Sequence, residues 1–324
     1  MLTARTLTIL LIPLTIASLI LSLAIGSVDV GLGDILLSLS GADDNINQRI
    51  ISELRLPRTL TAFTVGALLA IAGALLQVLL RNPLADPYIL GVSGGAAVAV
   101  LLSMTAGLAG GWLMGSAMAG SLVSVLLVFG LSRLGTGNYQ LRLLLTGVII
   151  AAGWGALISL ILSLSPGRQI HGMLFWLTGD LSGIHTPIAG LVILFLGTAG
   201  AWVIARPLNL LARGESVAAA LGEDPARLRN LVYFLASVLT ATAVTLAGNI
   251  GFVGLVIPHL LRLSGTSDHR WLLPQCLLLG GSFLVLADAL SRTLIAPQQL
   301  PVGVVTALVG IPLFLYLLIR TARQ

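Results

Sequence analysis

The chain reads as long apolar runs separated by short polar punctuation. Ten runs stand out, near residues 7–25, 59–80, 89–106, 112–131, 141–164, 188–205, 229–249, 254–264, 272–294 and 303–319. Most approach the ~20 residues that a helix needs to cross the hydrocarbon core of a bilayer. The eighth run is the exception. At ~1.5 Å per residue its eleven residues reach roughly 16 Å, about half of that core. Pro258 lies inside it, and Gly251 and Gly254 precede it. A short or broken helix shielded by its neighbours is expected there. Ser22-Leu23-Ala24 loosely resembles a leader cleavage site. However, the run from Leu7 to Ile25 is longer than a typical leader and is taken as a retained first helix.

Charge orients the runs. With the N-terminus in the cytoplasm and ten crossings, the inside receives twelve arginines: 5, 81, 133, 142, 206, 213, 227, 229, 262, 270, 320 and 323. The outside receives five: Arg49, Arg55, Arg58, Arg168 and Arg292. This asymmetry satisfies the positive-inside rule, with both termini cytoplasmic. If the eighth run did not cross, Arg320 and Arg323 would move outside, so the arginines favour ten crossings.

Composition supports an all-α integral membrane protein. Hydrophobic residues make up 57% and charged residues 9% of 324, against the ~25% charged residues of ordinary soluble domains. The net charge of +5 does not imply nucleic-acid binding, because the basic residues stand singly at the ends of runs. All 17 basic residues are arginine. Without a lysine, the chain cannot carry the phosphate-cradling G-x-x-x-x-G-K-[ST] loop. Its one cysteine, Cys276, excludes an intrachain disulfide and a cysteine metal cluster.

The stretch "RGESVAAALGEDPARLR", Arg213 to Arg229, gathers six of the 29 charged side chains between runs six and seven. Glu215 suits the N-terminus of a short helix. Val217, Ala220 and Leu221 then share one face, Gly222 can supply a left-handed cap, and Asp224-Pro225 reads as the start of the next helix. Such a stretch is either a solvated loop or a small apolar face that docks on a partner.

Small residues recur every fourth position at Gly66, Ala70 and Ala74, and at Gly147, Ala151, Gly155, Ser159 and Ser163. Such rows let helices approach closely, and pore lining is the alternative. "RTLTAF" (58–63) and "RNLVYF" (229–234) share R-x-L-x-x-F at the starts of runs two and seven. One starts outside and the other inside, as an inverted repeat would.

Enzyme constellations are missing at membrane depth. Asp288 is the one ionisable group well inside a run, at a cost of about 2.5–3.5 kcal/mol on insertion scales. Arg292, four residues on, can pair with it; an ion-coupling carboxylate is the other reading. His171, His185, His259 and His269 read as interfacial polar contacts, with metal or haem ligation as the alternative. Arg55 and Arg58 stand on the side the positive-inside rule disfavours. They can snorkel at the interface or receive a partner's carboxylates.

Several motifs occur in a specific order: "RLPRTLTAFTVGALLAIAGALLQVLLRNPLADPYILGVSGGAA", "RGESVAAALG", "GFVGLVIPHLLRL", "DHRWLLPQCLLLGG" and "LPVGVVTALVGIPLFLYLL". Over essentially its whole length the chain resembles the permease subunits of ABC importers for cobalamin, haem and iron–siderophore complexes. That resemblance implies one permease domain over 1–324, ten transmembrane helices with one short, and short cytoplasmic coupling helices within 213–225. The implied partners are a second copy, two cytoplasmic ATPase subunits that bind ATP and Mg, and a periplasmic binding protein, at a bacterial inner membrane. The chain itself would hold no cofactor or metal. Docking of the binding protein would fall on Arg55, Arg58 and Arg292, and ATPase coupling on Glu215, Ser216, Ala219, Ala220, Leu221 and Gly222. The translocation path and gate would fall near Asn82, Leu84, Gln140, Leu141, Gly147, Ala151 and Gly155. "NYQ" (138–140) departs from the small polar residues of cobalamin permeases. Cargo stays open between cobalamin and haem or a ferric siderophore. An ion-coupled secondary transporter and an intramembrane enzyme are the competing classes.

Overall fold

The computed structural model describes residues 3–26, 31–39, 45–134, 139–183 and 187–321; His185 and Arg323 lie outside them. Fifteen α-helices form, with no strand among the described residues. They are α1 (Ala4–Ala24), α2 (Leu32–Leu39), α3 (Ile46–Arg49), α4 (Leu56–Leu79), α5 (Val92–Thr105), α6 (Gly111–Arg133), α7 (Tyr139–Leu164), α8 (Gly167–Leu177), α9 (Ile188–Val203), α10 (Ala205–Ala212), α11 (Glu215–Ala220), α12 (Pro225–Ala247), α13 (Val253–Leu263), α14 (His269–Thr293) and α15 (Val302–Thr321). A π-helical turn, Ile50–Arg55, joins α3 to α4.

Every one of the ten apolar runs is helical. Among the described residues six helical stretches are long and apolar enough to cross a membrane: α1, the continuous Ile46–Leu79, α6, α7, α12 and α14. A seventh forms if α9 and α10 count together across their 61° bend. α5, α13 and the apolar part of α15 are shorter. As the prolines and glycines suggested, α13 has eleven residues with Pro258 inside. The residue before it, Phe252, holds φ 71°, a left-handed conformation that non-glycine residues seldom adopt.

α4 is the axis of the bundle. Of its most apolar window, 94% is buried, with α14, α12 and α13 packed around it. The apolar effect offers little drive between helices in lipid, so close backbone approach must supply the cohesion. The row Gly66–Ala70 does this against α14: a Cβ on Gly66 would strike the Gly280 carbonyl, and one on Gly280 would meet Ala70 and Gly66. Gly73, off that row, lies against the Gly254 backbone at the start of α13. Gly95 and Gly120 oppose each other between α5 and α6, a pairing that no periodicity announced.

The second row behaves differently. Gly147 is buried, but Gly155, Ser159 and Ser163 are exposed, and a Cβ on Gly155 would meet nothing. Only 6% of the apolar window of α7 is buried. The part of this row from Gly155 to Ser163 therefore packs against no helix among the described residues.

α4 and α12 run antiparallel. The turn after α4 and the start of α12 meet through Arg81, Gln140, Glu215 and Arg229. The two R-x-L-x-x-F segments accordingly sit at opposite ends of the bundle, as an inverted pair requires.

Candidate functional site

Two polar clusters occupy the two ends of α4. At one end Asp288 of α14 is fully buried. Its Oδ1 accepts from Arg58 Nη2 at 2.8 Å and Nε at 3.0 Å, and its Oδ2 accepts from Arg292 Nε at 3.0 Å. The i,i+4 pair expected on α14 is present, and Arg58 joins it from α4. Arg58 also donates to Gln299 Oε1 at 3.0 Å. Arg292 further donates to Ser22 Oγ at 3.0 Å and the Ile25 carbonyl at 3.2 Å. Arg55 donates to the Leu23 carbonyl at 2.7 Å and the Ala24 carbonyl at 3.0 Å. Arg55 and Arg292 thus satisfy carbonyls at the C-terminus of α1, where a cation also suits the helix dipole.

The three arginines line one cavity of about 360 Å³ together with Glu53. None is a free snorkelling cation. The side chains of Arg58 and Arg292 are 16% and 9% exposed, and Arg55 is buried. Asp288 is placed between two guanidinium groups.

At the opposite end the short helix is α11. Gly222 holds φ 88° and ends it, and Asp224 Oδ1 caps α12 through Ala226 N at 3.0 Å and Arg227 N at 3.1 Å. Ala218 faces inward, fully buried, whereas Ser216, Ala219, Ala220 and Gly222 are exposed. Val217 and Leu221 are exposed apolar residues of the outward face. Glu215 anchors the helix by a two-oxygen pair with Arg229 Nη1 at 2.8 and 2.9 Å.

The gate candidates lie beside this anchor. Asn82 Oδ1 accepts from Leu84 N at 2.9 Å, folding the turn after α4 and leaving Leu84 exposed. Gln140 is a junction: it accepts from Arg81 Nη2 at 2.7 Å, donates to the Leu79 carbonyl at 3.2 Å and reaches Glu215 at 3.5 Å. Tyr139 lies under the Arg229 guanidinium, 4.7 Å from the ring centre. Of the stretch 138–140, Asn138 lies outside the described residues, and Tyr139 and Gln140 connect the end of α4, α7, α11 and α12. Leu141 is exposed and Gly147 buried; Ala151 N lies 3.6 Å from where a Cβ on Gly91 would stand.

Between these helices, Asp268 ties α14 to α10. Its Oδ1 accepts from Asn209 Nδ2 at 2.8 Å, and its Oδ2 accepts from Arg270 Nη2 at 2.6 Å. The Arg270 hydrogen bond chiefly holds this carboxyl well below the usual range. The three described histidines do not gather. His171 lies near Phe175, His259 against Phe314, and His269 Nδ1 is 2.6 Å from Asn209 Oδ1. No cluster of metal-binding side chains forms among the described residues.

Neither the Arg58–Asp288 pair nor the Gln140 junction has a local sequence signal, since their partners lie 230 and 59–75 residues away. Comparison with known proteins agrees with this architecture. The family model described as the FecCD transport family matches residues 14–320. An uncharacterized ABC transporter permease of Bacillus subtilis is 44% identical over 87% of this chain and 82% of its own length. A cobalamin import system permease of Halobacterium salinarum is 43% identical over 84% of this chain and 73% of its own. A vitamin B12 import system permease of Citrobacter koseri is 40% identical over 84% and 83%. A solved inward-facing structure assigned to the metal-chelate type of ABC transporter superposes with TM-score 0.85 and 34% identity, covering 97% of this chain and 98% of that one. The chain belongs to the FecCD transport family and is a permease subunit of an ABC importer.

Proposed function

We propose that this subunit is the membrane conduit of a binding-protein-dependent importer for a large metal chelate: cobalamin, haem or a ferric siderophore. ATP is hydrolysed in two separate cytoplasmic subunits. The observation that carries this reading is the placement of two different polar clusters at the two ends of α4. At the outer end Arg55, Arg58 and Arg292 line one cavity, two of them on the buried Asp288 and Arg55 on carbonyls of α1, and the rim of that cavity would receive acidic side chains of a loaded binding protein. The inner cluster fixes α11, whose exposed Val217 and Leu221 offer a small apolar face to an ATPase subunit. Motion of α11 reaches the start of α7 and the end of α4 through Glu215, Gln140 and Arg81. Ten crossings of an inner membrane, with both termini cytoplasmic, agree with this division and with the arginine asymmetry. The bare face of α7, with Leu145, Val148 and Ile149 exposed, is where a second copy would complete the path.

The relatives named for cobalamin or vitamin B12 import support a corrinoid cargo. The test is reconstitution in sealed vesicles with the cognate ATPase and binding protein. Uptake of the chelate that copurifies with the binding protein should require ATP. Uphill transport by the permease without its ATPase would overturn the proposal.

A further inference from the structure

Beside α11 lies a cavity of about 660 Å³ with a strongly cationic wall. Four guanidinium groups line it, those of Arg81, Arg133, Arg142 and Arg229, against one carboxylate, Glu215. They come from the turn after α4, the last turn of α6, the first turn of α7 and the second turn of α12. Only the fold gathers them.

Three of the four have partners. Arg229 pairs with Glu215, Arg81 donates to Gln140, and Arg133 donates to Asn230 Oδ1 at 3.1 Å while lying 3.9 Å from the centre of the Phe129 ring. Only the first of these contacts brings a negative charge. Arg142 differs. Its Nε and Nη1 are buried and find no acceptor among the described residues; Nε of Arg229 is in the same state. Buried donors of a charged group left unsatisfied are costly, so the arrangement calls for an acceptor with charge. One carboxylate would leave much of the excess uncompensated. A phosphate group carries up to two negative charges and several acceptor oxygens, and forked guanidinium donors match it.

We propose that this cavity binds a phosphate group, borne by an anionic phospholipid or by a soluble phosphate compound. The lipid route has a visible exit. Phe234, exposed, lies one turn along α12 from Asn230, and exposed Leu131 and Leu134 flank Arg133 at the end of α6. Acyl chains could follow these side chains while the head stays among the arginines, as in basic pockets between helices on the cytoplasmic side. Gln140, Glu215 and Ser216 of the proposed coupling region also line this cavity, but the test reads binding to the chain itself and not transport.

The experiment places the full-length chain in nanodiscs of zwitterionic lipid, with and without phosphatidylglycerol, and titrates inorganic phosphate against chloride at matched ionic strength. Thermal unfolding and native mass spectrometry report binding. Stabilisation and a retained lipid with phosphatidylglycerol alone identify the lipid source; stabilisation by phosphate in zwitterionic discs identifies the soluble one. Arg142→Gln should weaken whichever response is seen by roughly tenfold. Arg142→Lys, which keeps the charge but loses the fork, should fall between. Arg168→Gln, an exposed arginine of α8, should respond as wild type. If Arg142→Gln does not fold, Arg142→Lys and Arg133→Gln are read on the same titrations. The proposal is overturned if neither phosphate source stabilises the wild-type chain, or if the folded pocket variants bind as wild type does.

Discussion

Arg58 of α4 and Asp288 of α14 are joined across 230 residues of sequence by a contact of 2.8 Å, and Arg292 meets the same carboxylate from the other side. The pair pins two helices at the end where the structure also closes over the terminus of α1. Asp288 is fully buried and ties α14 to α4 through these two guanidinium groups.

Asp288→Asn should be strongly destabilising. It leaves two largely buried guanidinium groups facing each other without a counter-charge, and breaking a buried pair costs about 3–5 kcal/mol. Denaturant unfolding of the solubilised chain measures this. A loss below about 1 kcal/mol would be the behaviour of an exposed pair and would contradict the anchoring role.

Gly73→Ala and Gly155→Ala should differ sharply. The first drives a methyl group into the Gly254 backbone and forces α13 away from α4, at a cost of about 1–3 kcal/mol. The second meets empty space within the chain. A larger residue, Gly155→Leu, should leave the fold of the single chain intact and weaken self-association. Unfolding curves and sedimentation in detergent separate the two effects.

Glu215→Gln should uncouple more than it unfolds. The Glu215–Arg229 pair is 32% and 19% exposed, and such pairs contribute no more than about 1 kcal/mol to stability. It nevertheless holds α11 to α12 and, through Gln140, to α7. In vesicles containing the whole transporter, basal ATP hydrolysis should persist while uptake falls severalfold. Equal loss of both activities would place the residue outside the coupling route.

The Asp268 latch carries a sign in pH. Its carboxyl sits below the usual range because Arg270 first, and Asn209 further, favour the charged form. A depressed pKa contributes stability that is fully present above the ordinary value of about 3.9 and is lost as the pH falls below it. Hydrogen exchange at the start of α14 should be slow at neutral pH, with its protection lost in acid. Asp268→Ala should remove that protection already at neutral pH.

The apolar runs made most of the helices legible, because span length and arginine placement are direct consequences of a bilayer. The cap at Gly222, the start at Asp224-Pro225 and the short α13 followed from single residues with strong backbone preferences. Less legible were α10, which continues α9 after a bend at Ile204, and the π-helical turn that extends α4 backward to Ile46. Both have ordinary helical composition, and tertiary packing sets their direction. The outer arginines were visible as charges on the disfavoured side, and the Arg292–Asp288 pair by its spacing, but the sequence could not show that Arg58 reaches the same carboxylate or that Arg55 and Arg292 bind carbonyls of α1. Gln140 looked like a departure from a pattern. Its importance appears only once Arg81 and Glu215 are brought to either side of it.

α4 bears one cluster at its first turn and the other just past its last. At ~1.5 Å per residue its 24 residues form a rod roughly 36 Å long. A rod this well gripped along its length is a poor hinge and a good lever. A tilt of about 5° imposed at the inner end would sweep the outer one through roughly 3 Å, enough to break hydrogen bonds of the length seen around Asp288. A change at either cluster can then be felt at the other within a single helix.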